Sequence, residues 1–227
     1  MNARNSKLLV CIATVVALAT GADARYHHRK ARASGSAESS QDFAYYLLAL
    51  SWAPDFCALP NVPKDPRECG KGRKVGFIVH GLWPQGEQTR GPERCGPASP
   101  VSQEIVRVML NYIPTESLIQ HEWANHGTCS GLTAAAYFAQ VRKARDSVTI
   151  PAEFKAPTSE LHLSPDEILA KFEQANPKFP KGAFRVSCQN GGLQEARICF
   201  NKDLTPRACG NSVGACNAGN IFAHPVQ

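Results

Sequence analysis

Phe77-Ile78-Val79-His80-Gly81-Leu82-Trp83-Pro84 and His121-Glu122-Trp123-Ala124-Asn125-His126-Gly127-Thr128-Cys129 are the two stretches on which the reading of this chain turns. In the first, an apolar run reads as a strand over residues 75–79 and delivers a histidine at its end. The glycine that follows leaves backbone room beside the ring. Taken alone, such a histidine is more often structural than catalytic. In the second, a helix near residues 116–125 sets Glu122 and His126 four apart on one face. There the carboxylate can hold the imidazole and favour its charged form. His121 and Asn125 form the adjacent stripe, and Cys129 can tie the helix end down.

His121-Glu122-x-x-x-His126 invites a zinc-protease reading, but its spacing is one residue longer than H-E-x-x-H. Five residues of helix turn the second imidazole about 140° from the first, so the two do not share a metal in that way. No metal and no cofactor are expected. Two imidazoles titrating near neutrality suit paired general acid and base work. RNA phosphodiester transfer needs that pair: one group deprotonates the 2′-hydroxyl and the other protonates the leaving 5′-oxygen. A further cation or donor stabilises the charge on the phosphorane.

Outward from these stretches, residues 44–52 read as a buried strand, and residues 60–74 and 84–100 as loops rich in proline, glycine and charge. Helices are expected over residues 101–112 and 133–146. Another opens at Ser164-Pro165-Asp166-Glu167, with an N-cap serine, a proline at the first helical position and a capping-box glutamate. Residues 184–188 and 193–200 look like a hairpin around Asn190-Gly191-Gly192. The fold class is therefore α+β, a single domain with a largely antiparallel sheet.

The ends and the composition set the compartment. Arg4 and Lys7, an apolar run over residues 8–18 and Ala22-Asp23-Ala24 read as a signal peptide, residues 1–24, cleaved after Ala24. The run is well short of the roughly 20 apolar residues that a membrane anchor needs, and bulky Val10 makes Cys11 a poor lipoprotein site. Residues 25–41 form a polar, basic leader, in which His27 and His28 read as solvated rather than metal-binding. The domain is residues 42–227, and export ends in the periplasm or outside the cell. Of the net charge of +6, about half belongs to the residues before the domain; a mildly positive body suits a polyanionic substrate without establishing one. Eight of the nine cysteines follow the leader, an even count that reads as four disulfides in an oxidising compartment, with 105 connectivities open.

F-x-V-H-G-L-W-P followed by H-E-W-x-x-H-G-T-C resembles the two active-site segments of the ribonuclease T(2) family, the secreted transferase-type endoribonucleases. The similarity runs from Tyr46-Leu47-Leu48-Ala49-Leu50-Ser51-Trp52 through Arg197-Ile198-Cys199-Phe200-Asn201-Lys202-Asp203-Leu204. It implies a central antiparallel sheet flanked by helices. It also implies cleavage of single-stranded RNA to 2′,3′-cyclic phosphates with low base specificity, by a monomer without an obligatory protein partner. Carried over to this chain, it makes His80 and His126 the acid–base pair, with His126 as base and His80 as acid. Glu122 would polarise the phosphate site and orient His126, His121 and Asn125 would hold phosphate, and Trp83 would stack on a base. The implied disulfides are Cys57–Cys69, Cys95–Cys129, Cys188–Cys216 and Cys199–Cys209. The chain departs from the family at Asn125, where a lysine is usual; an uncharged amide there should slow the chemistry, so that Asn125→Lys raises kcat, the alternative being that Arg90 or Arg94, candidates by position alone, already supplies the charge. Gln85 stands where some members carry an acidic base-reading residue. A catalytically weak secreted RNA-binding or signalling protein on the same scaffold is the competing reading, and it rests on Asn125.

Overall fold

A computed structural model describes residues 43–227. The signal peptide and basic leader expected over residues 1–41 lie outside the described residues. Strand β1 (Tyr45–Trp52) is the spine of the fold: it pairs antiparallel with β2 (Phe77–Gln85) on one edge and β5 (Gly192–Phe200) on the other. Strand β4 (Phe184–Gln189) pairs with the far edge of β5. Strand β6 (Ile221–Ala223) meets β5 in one parallel contact at Gly192 and carries β3 (Leu161–Leu163) antiparallel beside it. The sheet is thus antiparallel apart from that contact. None of the helices among the described residues is long and apolar enough to cross a membrane.

Side chains alternate across a strand, and β1 uses its two faces differently. Tyr46, Leu48, Leu50 and Trp52 enter the main core with Val79, Leu82, Ile198 and Phe200. Onto this face pack Met109 of α3 (Gln103–Met109), Ile119 of α4 (Glu116–Asn125), Tyr137 of α5 (Ala134–Asp146) and Phe172 of α6 (Pro165–Ala175). Burying each such side chain contributes about 1.5–3 kcal/mol. The other face holds a smaller cluster of Tyr45, Leu47, Cys199 and Val213 at one end. Toward the middle it carries Ala49 and Ser51 on β1, opposite Arg197 and Glu195 on β5. Two charges, held beside a serine, are what an unpaired packed core excludes and a site can use.

Each long helix opens on an oxygen-bearing N-cap: Ser102, Thr115, Thr133 and Ser164 accept from the backbone N–H of Ile105, Leu118, Ala136 and Glu167. The capping box at Ser164 and Glu167 is complete. The hairpin turn is Asn190-Gly191, both at positive φ, 52° and 80°, as a two-residue turn with the strand's own twist requires; Gly192 already belongs to β5. All four disulfides that the resemblance implies are formed: Cys57–Cys69, Cys95–Cys129, Cys188–Cys216 and Cys199–Cys209.

Two expectations need correction. Strand β2 does not end at Val79 but continues through Pro84 and Gln85, which were expected in a loop. Pro84 is tolerated because β2 lies on the sheet edge, where a ladder donor is dispensable. Residues 60–74 are not wholly irregular, since they include the short helix α2 (Pro66–Cys69); a further short helix, α1 (Ala53–Ala58), follows β1 directly.

Candidate active site

The β1–β2 register places Ala49 opposite Gly81 and Leu50 opposite Val79, so His80 is the extra residue of a β-bulge. Bulges re-aim a side chain, and this one turns the imidazole onto the polar face of the sheet. His80 Nδ1 lies 2.7 Å from Oε1 of Glu195, reaching across β1 at Ser51, whose Oγ donates to the same oxygen at 3.4 Å. Arg197 Nε donates to the second Glu195 oxygen at 2.8 Å. Glu195 is 2% exposed, and it is a functional candidate that reading the sequence missed. The signal was present: Glu195 and Arg197 are two charges at i and i+2 in a largely apolar strand, hence on one face.

Helix α4 brings the second segment against β2. Glu122, 1% exposed, accepts a 2.8 Å hydrogen bond from Trp83 Nε1 through Oε2, while its Oε1 is unbonded and 3.8 Å from His80 Nε2. Its carboxylate therefore addresses Trp83 and His80, not His126, and this corrects the expected pairing along one helix face. The physical reason is that His126 has left the helix. It is the C-cap residue, with φ −121° and ψ −42°, leading into a 3₁₀ turn over Gly127–Ser130. The Trp83 ring stands between the two histidines, with centroids 5.1 Å from His80 and 5.4 Å from His126.

The environments push these groups apart. Burial pushes His126 down to about 4, helped by the nearby His121 and His80. Burial also works against the charged form of His80. There the Glu195 hydrogen bond and the charges of Glu122 and Glu195 outweigh it, and the pKa is raised above 6.5. His121 is lowered by burial, His80 and Arg94. Glu122 is pushed up to about 7 by burial. Glu195 is held low by His80 and Arg197 despite its burial.

Asn125 is 8% exposed and tied on both sides. Its Nδ2 lies 3.0 and 2.8 Å from the two ring nitrogens of His121, and its Oδ1 accepts from Arg94 Nε at 2.8 Å.

With this geometry in hand, comparison with known proteins is specific. The Ribonuclease T2 family profile matches residues 43–209. This chain belongs to the ribonuclease T2 family. It is 32% identical over 177 residues to a probable ribonuclease of Haemophilus influenzae, covering 73% of this chain and 60% of that protein. It is 43% identical over 98 residues to a ribonuclease of Aeromonas hydrophila, covering 40% of each. The chain thus spans about 40–60% of the length of these two relatives. An RNase-related protein from Calystegia sepium has the same fold, with a TM-score of 0.64 at 23% identity, over 81% of this chain and 98% of that one.

In this T2 family member two cavities flank the histidines. One, of about 330 Å³, is lined by Ser51, Phe56, Glu68, His80, Leu118 and Glu195. The other, of about 420 Å³, is lined by Leu47, Trp83, Gln85, Arg90, His126 and Arg197. Gly81 makes the close approach of β2 and α4 possible: a Cβ there would lie 1.9 Å from Glu122 Oε2 and 2.3 Å from Trp83 Nε1. Gly81→Ala is expected to break the Trp83–Glu122 bond and lower kcat at least about tenfold. It should also cost about 1–3 kcal/mol as an overpacked core position. Steady-state kinetics beside thermal unfolding check both, and unchanged values would mean that the Glu122 carboxylate moves aside freely.

Proposed function

We propose that this protein is a secreted, metal-independent endoribonuclease that cleaves single-stranded RNA through the 2′-hydroxyl, leaving 2′,3′-cyclic phosphates. The observation that carries the reading is the divergence of the two histidines. His80 is hydrogen-bonded to a buried carboxylate that favours its protonated form, whereas His126 is held neutral by burial. Pairs of groups pushed apart in this way define an acid and a base.

His126 takes the proton from the 2′-hydroxyl as the 2′-oxygen–phosphorus bond forms. The phosphorus–5′-oxygen bond then breaks, and the leaving 5′-oxygen receives the proton of His80. Because Nδ1 is committed to Glu195, delivery is from Nε2. The nucleoside that keeps the cyclic phosphate fits the cavity beside His126 and Trp83, and the leaving nucleoside fits the one beside His80. Trp83 offers its ring to a base, and Gln85 in the same cavity offers an amide without charge, in keeping with low base specificity. Glu195 positions His80 and keeps its proton.

Pure protein with EDTA should degrade RNA as fast as without it, and capture of 2′,3′-cyclic ends should account for the primary products. A DNA strand of the same sequence should survive because it lacks the nucleophile. DNA cleavage, or loss of activity to the chelator, would reject the mechanism.

A further inference from the structure

A phosphorane carries more negative charge than the phosphate it forms from, so the site needs positive charge fixed beside the non-bridging oxygens. The histidines supply little of it. His126 is neutral when it acts as the base, and His121 is disfavoured in its charged form by burial and by its cationic neighbours His80 and Arg94. His80 surrenders its proton in the reaction. Asn125 carries no charge, and its amide is already held between His121 and Arg94.

Arg94 has what the others lack. Its guanidinium is a planar cationic fork that matches the geometry of a phosphate. It is fixed twice to Asn125, with its backbone N–H donating to Asn125 O at 2.8 Å and its Nε donating to Asn125 Oδ1 at 2.8 Å. Of the guanidinium only Nε is used, and the two terminal nitrogens have no hydrogen-bonded partner among the described residues. The backbone at Arg94 has φ 55°, a left-handed conformation that persists where surroundings over-determine it. The surroundings here are Asn125 on one side and the Cys95–Cys129 bridge on the other, which joins the next residue to the turn after His126. Glu93, the neighbouring carboxylate, is exposed and forms no ion pair with it.

We propose that Arg94 is a fixed cation of this site, added to Arg197 in the cavity beside His126, and that it presents its terminal nitrogens to the non-bridging oxygens of the scissile phosphate while Asn125 holds it in place. Asn125 is then a positioning residue for Arg94, not a phosphate ligand or the gap left by a missing lysine. This proposal rests on the ribonuclease reading and names the residue that completes its charge.

Arg94→Gln should lower kcat on a short RNA about 10²- to 10³-fold, the scale for losing one transition-state donor, with a smaller change in KM. Arg94→Lys should recover part of the loss. Millimolar guanidinium should partly rescue Arg94→Ala, which a structural defect would not allow. Asn125→Lys, which sets a second cation against Arg94, should slow the enzyme. A kcat for Arg94→Gln within about threefold of the parent, a faster Asn125→Lys, or a loss that guanidinium leaves untouched would overturn the assignment. A second arm needs no turnover: binding of a nucleoside 3′-monophosphate should be weaker in Arg94→Gln, with a flatter salt dependence. If the parent binds this nucleotide through Arg94 but cleaves no RNA, the ribonuclease reading fails and the phosphate contact stands. Equal nucleotide affinities in parent and variant overturn the contact itself.

Discussion

Replacing His126 with alanine is expected to lower kcat by about 10²- to 10⁴-fold, and replacing His80 should do the same, each loss being that of one general acid–base group. The double variant should be far less than multiplicatively worse, because the two imidazoles move protons in one step. The single variants become distinguishable when the leaving group changes. With uridine 3′-(4-nitrophenyl phosphate), the departing phenolate needs no proton. His80→Ala should then recover most of its loss while His126→Ala should not. The measurement is the ratio of kcat on this ester to kcat on a dinucleotide for each variant. A recovery by His126→Ala instead would reverse the roles that the Glu195 contact assigns. Turnover unchanged by His80→Ala would reduce the bulged histidine to a structural residue.

The α+β scaffold and the four cysteine pairs were legible in the chain, and so were the candidates for its chemistry. His80, His121, Glu122 and His126 stand in two short segments whose imidazoles suggest paired proton transfer and whose order carries the family resemblance, and the spacing on the helix argues against a zinc pattern. What local spacing could not show is which partners meet across the sheet. Glu122 and His126 are four apart in sequence, but the helix ends between them, and the carboxylate crosses to Trp83 and His80 instead. Glu195 lies 115 residues from His80, so its contact exists only once β5 has paired with β1. The bulge at His80 hid the true length of β2, because Gly81 and Pro84 normally punctuate a strand and here sit within an edge strand. Helix α1, six residues opened by Pro54, is too short to show a helical period. The helices that were legible, α3, α4, α5 and α6, are those with both a side-chain cap and about two turns or more of pattern.

The pH dependence should carry the signature of Glu195. In the parent, kcat/KM should rise as pH increases through about 4, where His126 becomes a free base, and fall only above 6.5, as His80 loses its proton. The plateau between is mildly acidic. Glu68, pushed up to about 7 by burial, is largely uncharged across it and repels an incoming phosphate less. Glu195→Gln keeps the shape of the buried side chain and a hydrogen-bonding oxygen but removes the charge. Burial, which works against protonated His80, is then less opposed, so the basic limb should move down by about 1–3 pH units. The acid limb should move less, and only upward, because Glu195 acts on His126 only through the charge of His80. The plateau should narrow, and kcat at its centre should fall by about 10²-fold. Loss of the Arg197 ion pair could also loosen β5, so thermal unfolding must be followed alongside. A variant that unfolds earlier but keeps both limbs in place would make Glu195 a structural carboxylate, and the proton on His80 would then have to be held by Glu122 alone.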